Sequence, residues 1–158
     1  MKDPGDTNYR NALNIALRIL TRRDHSIVEL AQKLSRRGVE EDMVQRVIAE
    51  CGRLGYLDDS RVTRQLIDRM KQKGMGIRRI RYELQKRGLE GEPTEAQLRD
   101  GVTSAEERSL ARQAAEKKWK VWAGNANSRN KMLRLQRFLR YRGFSDSIIV
   151  ELLKEMHS

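Results

Sequence analysis

From Asn8 onward the apolar residues return every three or four positions, which predicts a chain made of helices. Ala12, Ile15, Ala16, Ile19 and Leu20 form one face of a first helix, and Ile27, Leu30, Ala31 and Leu34 one face of a second. A third runs from Glu40 to Leu54 and buries Met43, Val44, Val47, Ile48 and Cys51; Tyr56 and Leu57 are expected to enter the core after it. Val62, Leu66, Ile67 and Met70 mark a fourth helix, and Ile77, Ile80 and Leu84 a fifth. Near Thr94–Val102 the apolar row is thin, so a sixth helix there is expected to be short or loosely packed, with Pro93 suited to its first turn. Ala111, Ala115, Trp119 and Trp122 share a face of a seventh, and Met132, Leu135 and Leu139 one of an eighth. The clearest stripe is the last: Ile148, Ile149, Leu152, Leu153 and Met156. Residues 1–7, polar and containing Pro4 and Gly5, read as a flexible tail.

Polar residues punctuate these rows. Ser26 with Glu29, and Ser104 with Glu107, have the spacing of a capping box. Ser128, after a loop at 124–127, and Ser145 are placed to cap the last two helices. His25 reads as a turn residue, since no second ligand lies near it. Asp58 and Asp59 stand where a carboxylate would accept free backbone N–H groups and favour the positive end of the helix dipole. Metal binding or acid–base chemistry is the other reading of such a pair. Capping outweighs it, because no His, third acid or Gly-rich phosphate loop accompanies them.

A motif recurs three times: apolar, three residues, Leu, two residues, Arg, Gly, apolar. It is carried by Leu30/Leu34/Arg37/Gly38/Val39, by Ile80/Leu84/Arg87/Gly88/Leu89 and by Leu135/Leu139/Arg142/Gly143/Phe144. A glycine just past a helix takes the left-handed conformation, and the apolar residue after it packs back on the last turn. This repeated stop organises the chain as three tandem three-helix repeats, at 8–54, 58–102 and 104–157. Each is too small to hold a substantial core alone. Stacked in line they would make an all-α, elongated, curved array; a compact nine-helix bundle is the alternative.

Charge then changes the picture. The 158 residues carry 33 Lys and Arg against 22 Asp and Glu, a formal net charge of +11. Such a field favours a polyanion or an acidic protein surface as partner. Aligning the repeats places Glu29, Gln32 and Arg36 opposite Arg79, Tyr82 and Lys86, and opposite Arg134, Arg137 and Tyr141. The second and third repeats thus share a basic, aromatic-bearing stripe at i, i+3, i+7 that the first lacks. Basic stripes neutralise phosphate, and Tyr stacks on a base or a guanidinium; the competing reading is a solvated amphipathic face. The candidate contact residues are Arg78, Arg79, Arg81, Tyr82 and Lys86 in the second repeat and Arg134, Arg137, Arg140 and Tyr141 in the third. The tryptophans read as helix packing before base stacking.

Nothing in the sequence points to catalysis. The few Ser and Thr positions are explained as caps, and no nucleophile–base pair, metal cluster or phosphate loop stands out, so no cofactor is expected. Cys51, the single cysteine, lies on an apolar row and reads as a small core residue. The chain shows neither a signal peptide nor an apolar run of membrane-spanning length, so a reducing, cytoplasmic setting and a monomer are expected.

Four segments resemble the RecX family, the regulatory proteins that modulate the recombinase RecA. They are RDHSIVELAQKL (23–34), GYLDDSRV (55–62), KGMGIRRIRYELQKRG (73–88) and LQRFLRYRGF (135–144). The resemblance implies tandem three-helix repeats that lie in the groove of a RecA–single-stranded-DNA filament. It further implies inhibition of RecA's ATP hydrolysis, strand exchange and co-protease activity, and hence modulation of recombinational repair and the SOS response. Basic faces would meet the acidic RecA surface, single-stranded DNA or double-stranded DNA. One departure is Val62-Thr63, where family members often carry Phe-Ala. Two other readings fit the residues: a free-standing DNA- or RNA-binding helical protein with no specific RecA contact, and a structural adaptor for a different acidic protein.

Overall fold

The computed structural model describes residues 4–124 and 128–157. Among them lie nine helices and no strand: α1 (Pro4–Arg22), α2 (Ile27–Arg36), α3 (Glu41–Arg53), α4 (Asp59–Gln72), α5 (Ile77–Lys86), α6 (Glu92–Gly101), α7 (Ser104–Val121), α8 (Ser128–Tyr141) and α9 (Asp146–His157). The first helix begins at Pro4, so residues 4–7 belong to it and not to a tail. The expected loop residues 125–127 and the side chain of Ser128 lie outside the described residues.

Three apolar clusters form the core. The first gathers Ala16, Leu30, Leu34, Val44, Val47 and Cys51, the second Ile67, Ile80, Leu84 and Leu98, and the third Ala111, Ala115, Leu135, Leu139, Phe144 and Ile149. Leu98 is fully buried and Ile67 packs on Gly101, so α6 is short but firmly seated on α4. Two positions expected inside are not. Ile27 is exposed because it occupies the first turn of α2, where its N–H donates to Asp59 Oδ1, and Tyr56 is half exposed while Leu57 alone fills the core. The accessible surface is 10277 Å². A compact monomer of this mass exposes roughly 8,200 Å². The excess is that of an elongated molecule.

The second and third of the recurring Arg-Gly stops form the joints between successive helix triplets. Gly38, Gly88 and Gly143 have φ of 80, 71 and 84°, and after each the apolar residue's N–H donates back to the Leu five positions earlier. The Gly88 turn, at the end of α5, seats against Val28 at the start of α2. The Gly143 turn, at the end of α8, seats against Arg79 at the start of α5. There Gly76 N–H donates to Arg142 O at 2.8 Å, and Arg78 N–H to Gly143 O at 2.9 Å. A Cβ on Gly143 would lie 2.3 Å from Arg79 N, so backbone must meet backbone.

Carboxylates complete both joints. Ser26 caps α2 with Glu29 in a full capping box, and its hydroxyl also donates to Arg87 O. The Arg87 guanidinium grips Glu29 through two bonds of 3.1 and 3.0 Å and donates to Asp24 O. Asp58 caps α4 by accepting Arg61 N–H, whereas Asp59 serves α2. The cap of α7 is Thr103 with Glu106, one residue earlier than Ser104 with Glu107. That shift frees Glu107, which is buried and accepts N–H groups of Ile77 and Ser145, so one carboxylate satisfies the starts of α5 and α9. Among the described residues no helix is long and apolar enough to cross a membrane.

Candidate nucleic-acid interface

The second joint assembles a surface that neither helix triplet has alone. On α5, Arg79, Tyr82 and Lys86 follow one another along a single face. Seating of the Gly143 turn on Arg79 brings Tyr141, two residues before that glycine, onto the same face. The Arg79 guanidinium carbon lies 5.6 Å from the Tyr82 ring centre and 6.0 Å from that of Tyr141. Both distances are within reach of a cation–π contact. Tyr82 and Tyr141 are 53% and 73% exposed as residues, and Lys86 Nζ also lies 5.5 Å from the Tyr82 ring centre, so Tyr141 is the more open of the two.

The alignment explains why the two joints differ. Arg79 stands where the first triplet has Glu29. At the first joint Glu29 attracts Arg87; at the second, an arginine from α8 would meet Arg79 and be repelled. Arg142 instead turns to Lys73 O at 2.6 Å and to the Phe138 ring, and Tyr141 covers Arg79.

Several of the candidate cations have partners inside the chain. Arg79 and Lys86 both reach Glu83, at 3.0 and 3.5 Å. Arg78 and Arg140 share Asp146, at 3.0 and 3.6 Å. The Arg78 hydrogen bond holds the Asp146 carboxyl below its usual range. Arg81 turns away to Glu95 of α6 in a two-point contact of 2.8 and 3.1 Å, which raises the arginine pKa and lowers that of the acid. It leaves the shared face. Arg134 stacks on Trp122, 4.5 Å from the ring centre, and Arg137 is exposed with no ion pair among the described residues. Without Arg81, six cations of the set face two carboxylates. The surface keeps an excess of positive charge, carried most openly by Arg134 and Arg137.

The tryptophans pack, as their position on the Ala111–Ala115 face suggests, against the third cluster. Cations cover them: Lys131 Nζ lies 4.0 Å from the Trp119 ring centre and is itself nearly buried. Sequence reasoning missed Glu107 as a joint residue, because its spacing from Ser104 imitates a capping box. It also missed Arg87 as a joint residue; the repeated Arg-Gly pair was the available signal.

Comparison with known proteins places this arrangement. Residues 12–51 match the family model described as RecX, first three-helix domain, and residues 106–153 that described as RecX, third three-helix domain. The chain is 35% identical over 147 residues to the regulatory protein RecX of Legionella pneumophila (strain Corby), covering 93% of this chain and 95% of that one. It is 38% identical over 146 residues to the regulatory protein RecX of Shigella boydii serotype 4 (strain Sb227), covering 86% of each. The fold is similar to the crystal structure of RecX from Lactobacillus salivarius, with a TM-score of 0.84 at 22% identity over 96% of this chain and 98% of that one.

Proposed function

The chain belongs to the RecX family, and from that premise we propose that it regulates the RecA recombinase by binding the groove of the RecA–single-stranded-DNA filament. Bound there, it inhibits ATP hydrolysis, strand exchange and co-protease activity, acting as a binding protein and not as an enzyme. The observation that supports this reading is the composite surface of Arg79, Tyr82, Lys86 and Tyr141, continued along α8 by Arg134 and Arg137. It spans two helix triplets on an elongated body, the geometry needed to bridge neighbouring protomers of a polymer. Its cations suit phosphates or acidic side chains, and its exposed tyrosines supply apolar contact area. Occupying the groove excludes the second DNA strand and restrains the motion that accompanies ATP turnover.

The test is RecA ATP hydrolysis on single-stranded DNA, titrated with this protein at two DNA concentrations. Inhibition well below one molecule per RecA, insensitive to added DNA, supports filament binding. Inhibition relieved in proportion to added DNA would replace it with the reading of a free-standing nucleic-acid-binding protein.

A further inference from the structure

The first helix triplet, which lacks the basic stripe of the other two, holds a cationic cleft of a different construction. It lies between α1 and α2, has a volume of about 580 Å³, and is lined by Arg18, Arg22 and Arg23 on one side and Lys33, Arg36 and Arg37 on the other. His25 and Ile19 also line it. His25 is 2% exposed, its Nδ1 2.9 Å from Arg23 O and its Nε2 2.8 Å from Lys33 Nζ. With Nδ1–H donating to the carbonyl, Nε2 is the acceptor for the Lys33 ammonium. Burial, which lowers the His25 pKa, favours that neutral form. The histidine thus holds Lys33 in place without neutralising it.

Of the six cations only Arg23 meets a carboxylate among the described residues, Glu29 at 3.1 Å. Arg18, Arg22, Arg36 and Arg37 have no ion pair among the described residues. Basic residues near helix C-termini are common because they complement the dipole. That preference accounts for Arg22, Lys33 and Arg36 and for Arg37 at the C-cap of α2, but it does not account for Arg18 or for the two helix ends facing one concavity. Five like charges facing one cleft repel one another, and a bound anion relieves that repulsion.

We propose that this cleft binds the phosphate groups of a nucleic-acid strand, as a site separate from the surface on α5 and α8 and independent of RecA. Guanidinium forks match phosphate oxygens in two-point contacts. The cleft has no aromatic wall for a base and only Ile19 as an apolar lining residue, so it offers a protein partner no buried anchor. The expected ligand is therefore a backbone, read without regard to sequence.

The test is direct binding of a labelled oligo(dT) strand, without RecA, across a series of salt concentrations. The triple variant Arg18→Gln, Arg22→Gln, Arg36→Gln is compared with Arg64→Gln, Lys117→Gln, Lys120→Gln, which removes the same charge elsewhere. The cleft variant should bind about tenfold or more weakly, and its log–log salt slope should shrink by about 2, near 0.7 for each single-strand phosphate that is no longer neutralised. The comparator should keep the wild-type slope, and Arg22→Gln alone should lower it by about 0.7. Equal weakening in both triples, or none in the cleft variants, would overturn the site. So would tight ATP binding, or tight polyglutamate binding, that the cleft triple abolishes while strand binding is unchanged: these would assign the cleft to a free nucleotide or to an acidic protein. Matching circular dichroism and Tm of the variants separate a binding defect from a folding defect. Failure here leaves the RecA reading untouched, because that reading rests on α5 and α8.

Discussion

The Glu107 carboxylate accepts both the backbone N–H of Ser145, at 2.9 Å, and its hydroxyl, at 2.5 Å. The same carboxylate accepts the N–H of Ile77 at 3.3 Å, and the residue is 4% exposed. One side chain thereby ties α7, α9 and α5 together across the second joint. Glu107→Ala leaves two helix starts short of an acceptor inside the protein, and should lower unfolding stability by about 2–4 kcal/mol in urea titration. Glu107→Gln keeps one oxygen and should cost about half as much. A decrease below about 0.5 kcal/mol for the alanine variant, the size of a surface substitution, would show that water replaces the carboxylate.

Gly143 and Gly38 separate the two demands placed on the repeated glycine. Both have positive φ, but Gly38 has open space around its Cα, whereas a Cβ on Gly143 meets the Arg79 backbone. Gly38→Ala should cost about 1 kcal/mol, for the backbone conformation alone. Gly143→Ala should cost at least about 2 kcal/mol more, since overpacking adds to it. Gly76 is the control: its φ is ordinary at −85°, yet a Cβ would lie 2.4 Å from Phe144 N. Gly76→Ala should therefore destabilise through steric overlap alone.

Glu29 makes the first joint acid-sensitive. Burial opposes its ionisation, but hydrogen bonds from Arg87, Arg23 and Ser26 N–H outweigh burial and hold the carboxyl at about 2, against an ordinary 4.5. A carboxyl depressed in the folded state adds stability that is complete above its unfolded pKa and disappears as pH falls through the folded one. Thermal stability should therefore decline from about pH 4.5 toward 2, the window set by those two values. Glu106 contributes in the same window, its carboxyl held at about 2 by the Thr103 N–H and by Lys71. Glu29→Gln should flatten the decline in melting curves recorded across it; an unchanged pH profile would mean that the Arg87 grip does not form in solution.

These outcomes mark where sequence and structure part. Eight of the nine helices among the described residues were legible because their apolar rows are regular, the sixth having only a thin one, and Leu30, Leu34, Ile80, Leu84, Leu135 and Leu139 are all buried where periodicity placed them. The joints were not, because they are made by backbone and by carboxylates whose local spacing mimics capping. Asp59 and Glu107 each satisfy a helix distant in sequence, and no periodicity records that. The stripe on α5 was legible as positions, and the Arg79–Glu83 pair follows from i, i+4 spacing on one helix, but Arg81 meets Glu95 of α6 only through the packing of two helices.

Thr63 tests a departure from the family pattern. It is fully buried, and its hydroxyl has no hydrogen-bond partner among the described residues. Thr63→Val keeps the shape and removes the unpaired group, and should stabilise by about 1 kcal/mol in urea titration. Thr63→Ala also removes it but deletes a methyl group, so the two effects should nearly cancel, since a buried methylene is worth about 0.8 kcal/mol. Destabilisation by valine would indicate a buried water bonded to the hydroxyl.

Filament binding should depend on the exposed cations and not on Arg81, whose pair joins two helices. Arg81 is held by Glu95, so reversing its charge disturbs α6 as well as the surface, and weaker inhibition would be ambiguous. Arg137 and Lys86 are better probes: Arg137 has no ion pair to break among the described residues, and the Lys86 side chain is 54% exposed with its one ion pair, to Glu83 at 3.5 Å, inside its own helix. Lys86→Glu and Arg137→Glu should each raise the concentration for half-inhibition of the RecA ATPase by about fivefold to tenfold; a double variant near the product of the two would show that they act independently. Rim charges act mainly on association rate and are screened by salt, so the defect should shrink as ionic strength rises. Tyr141→Ala removes apolar area without changing charge, and its defect should persist at high salt. Folded charge-reversal variants that inhibit as well as wild type would remove this face from the filament contact, leaving the tyrosine result to decide whether any part of α8 touches it.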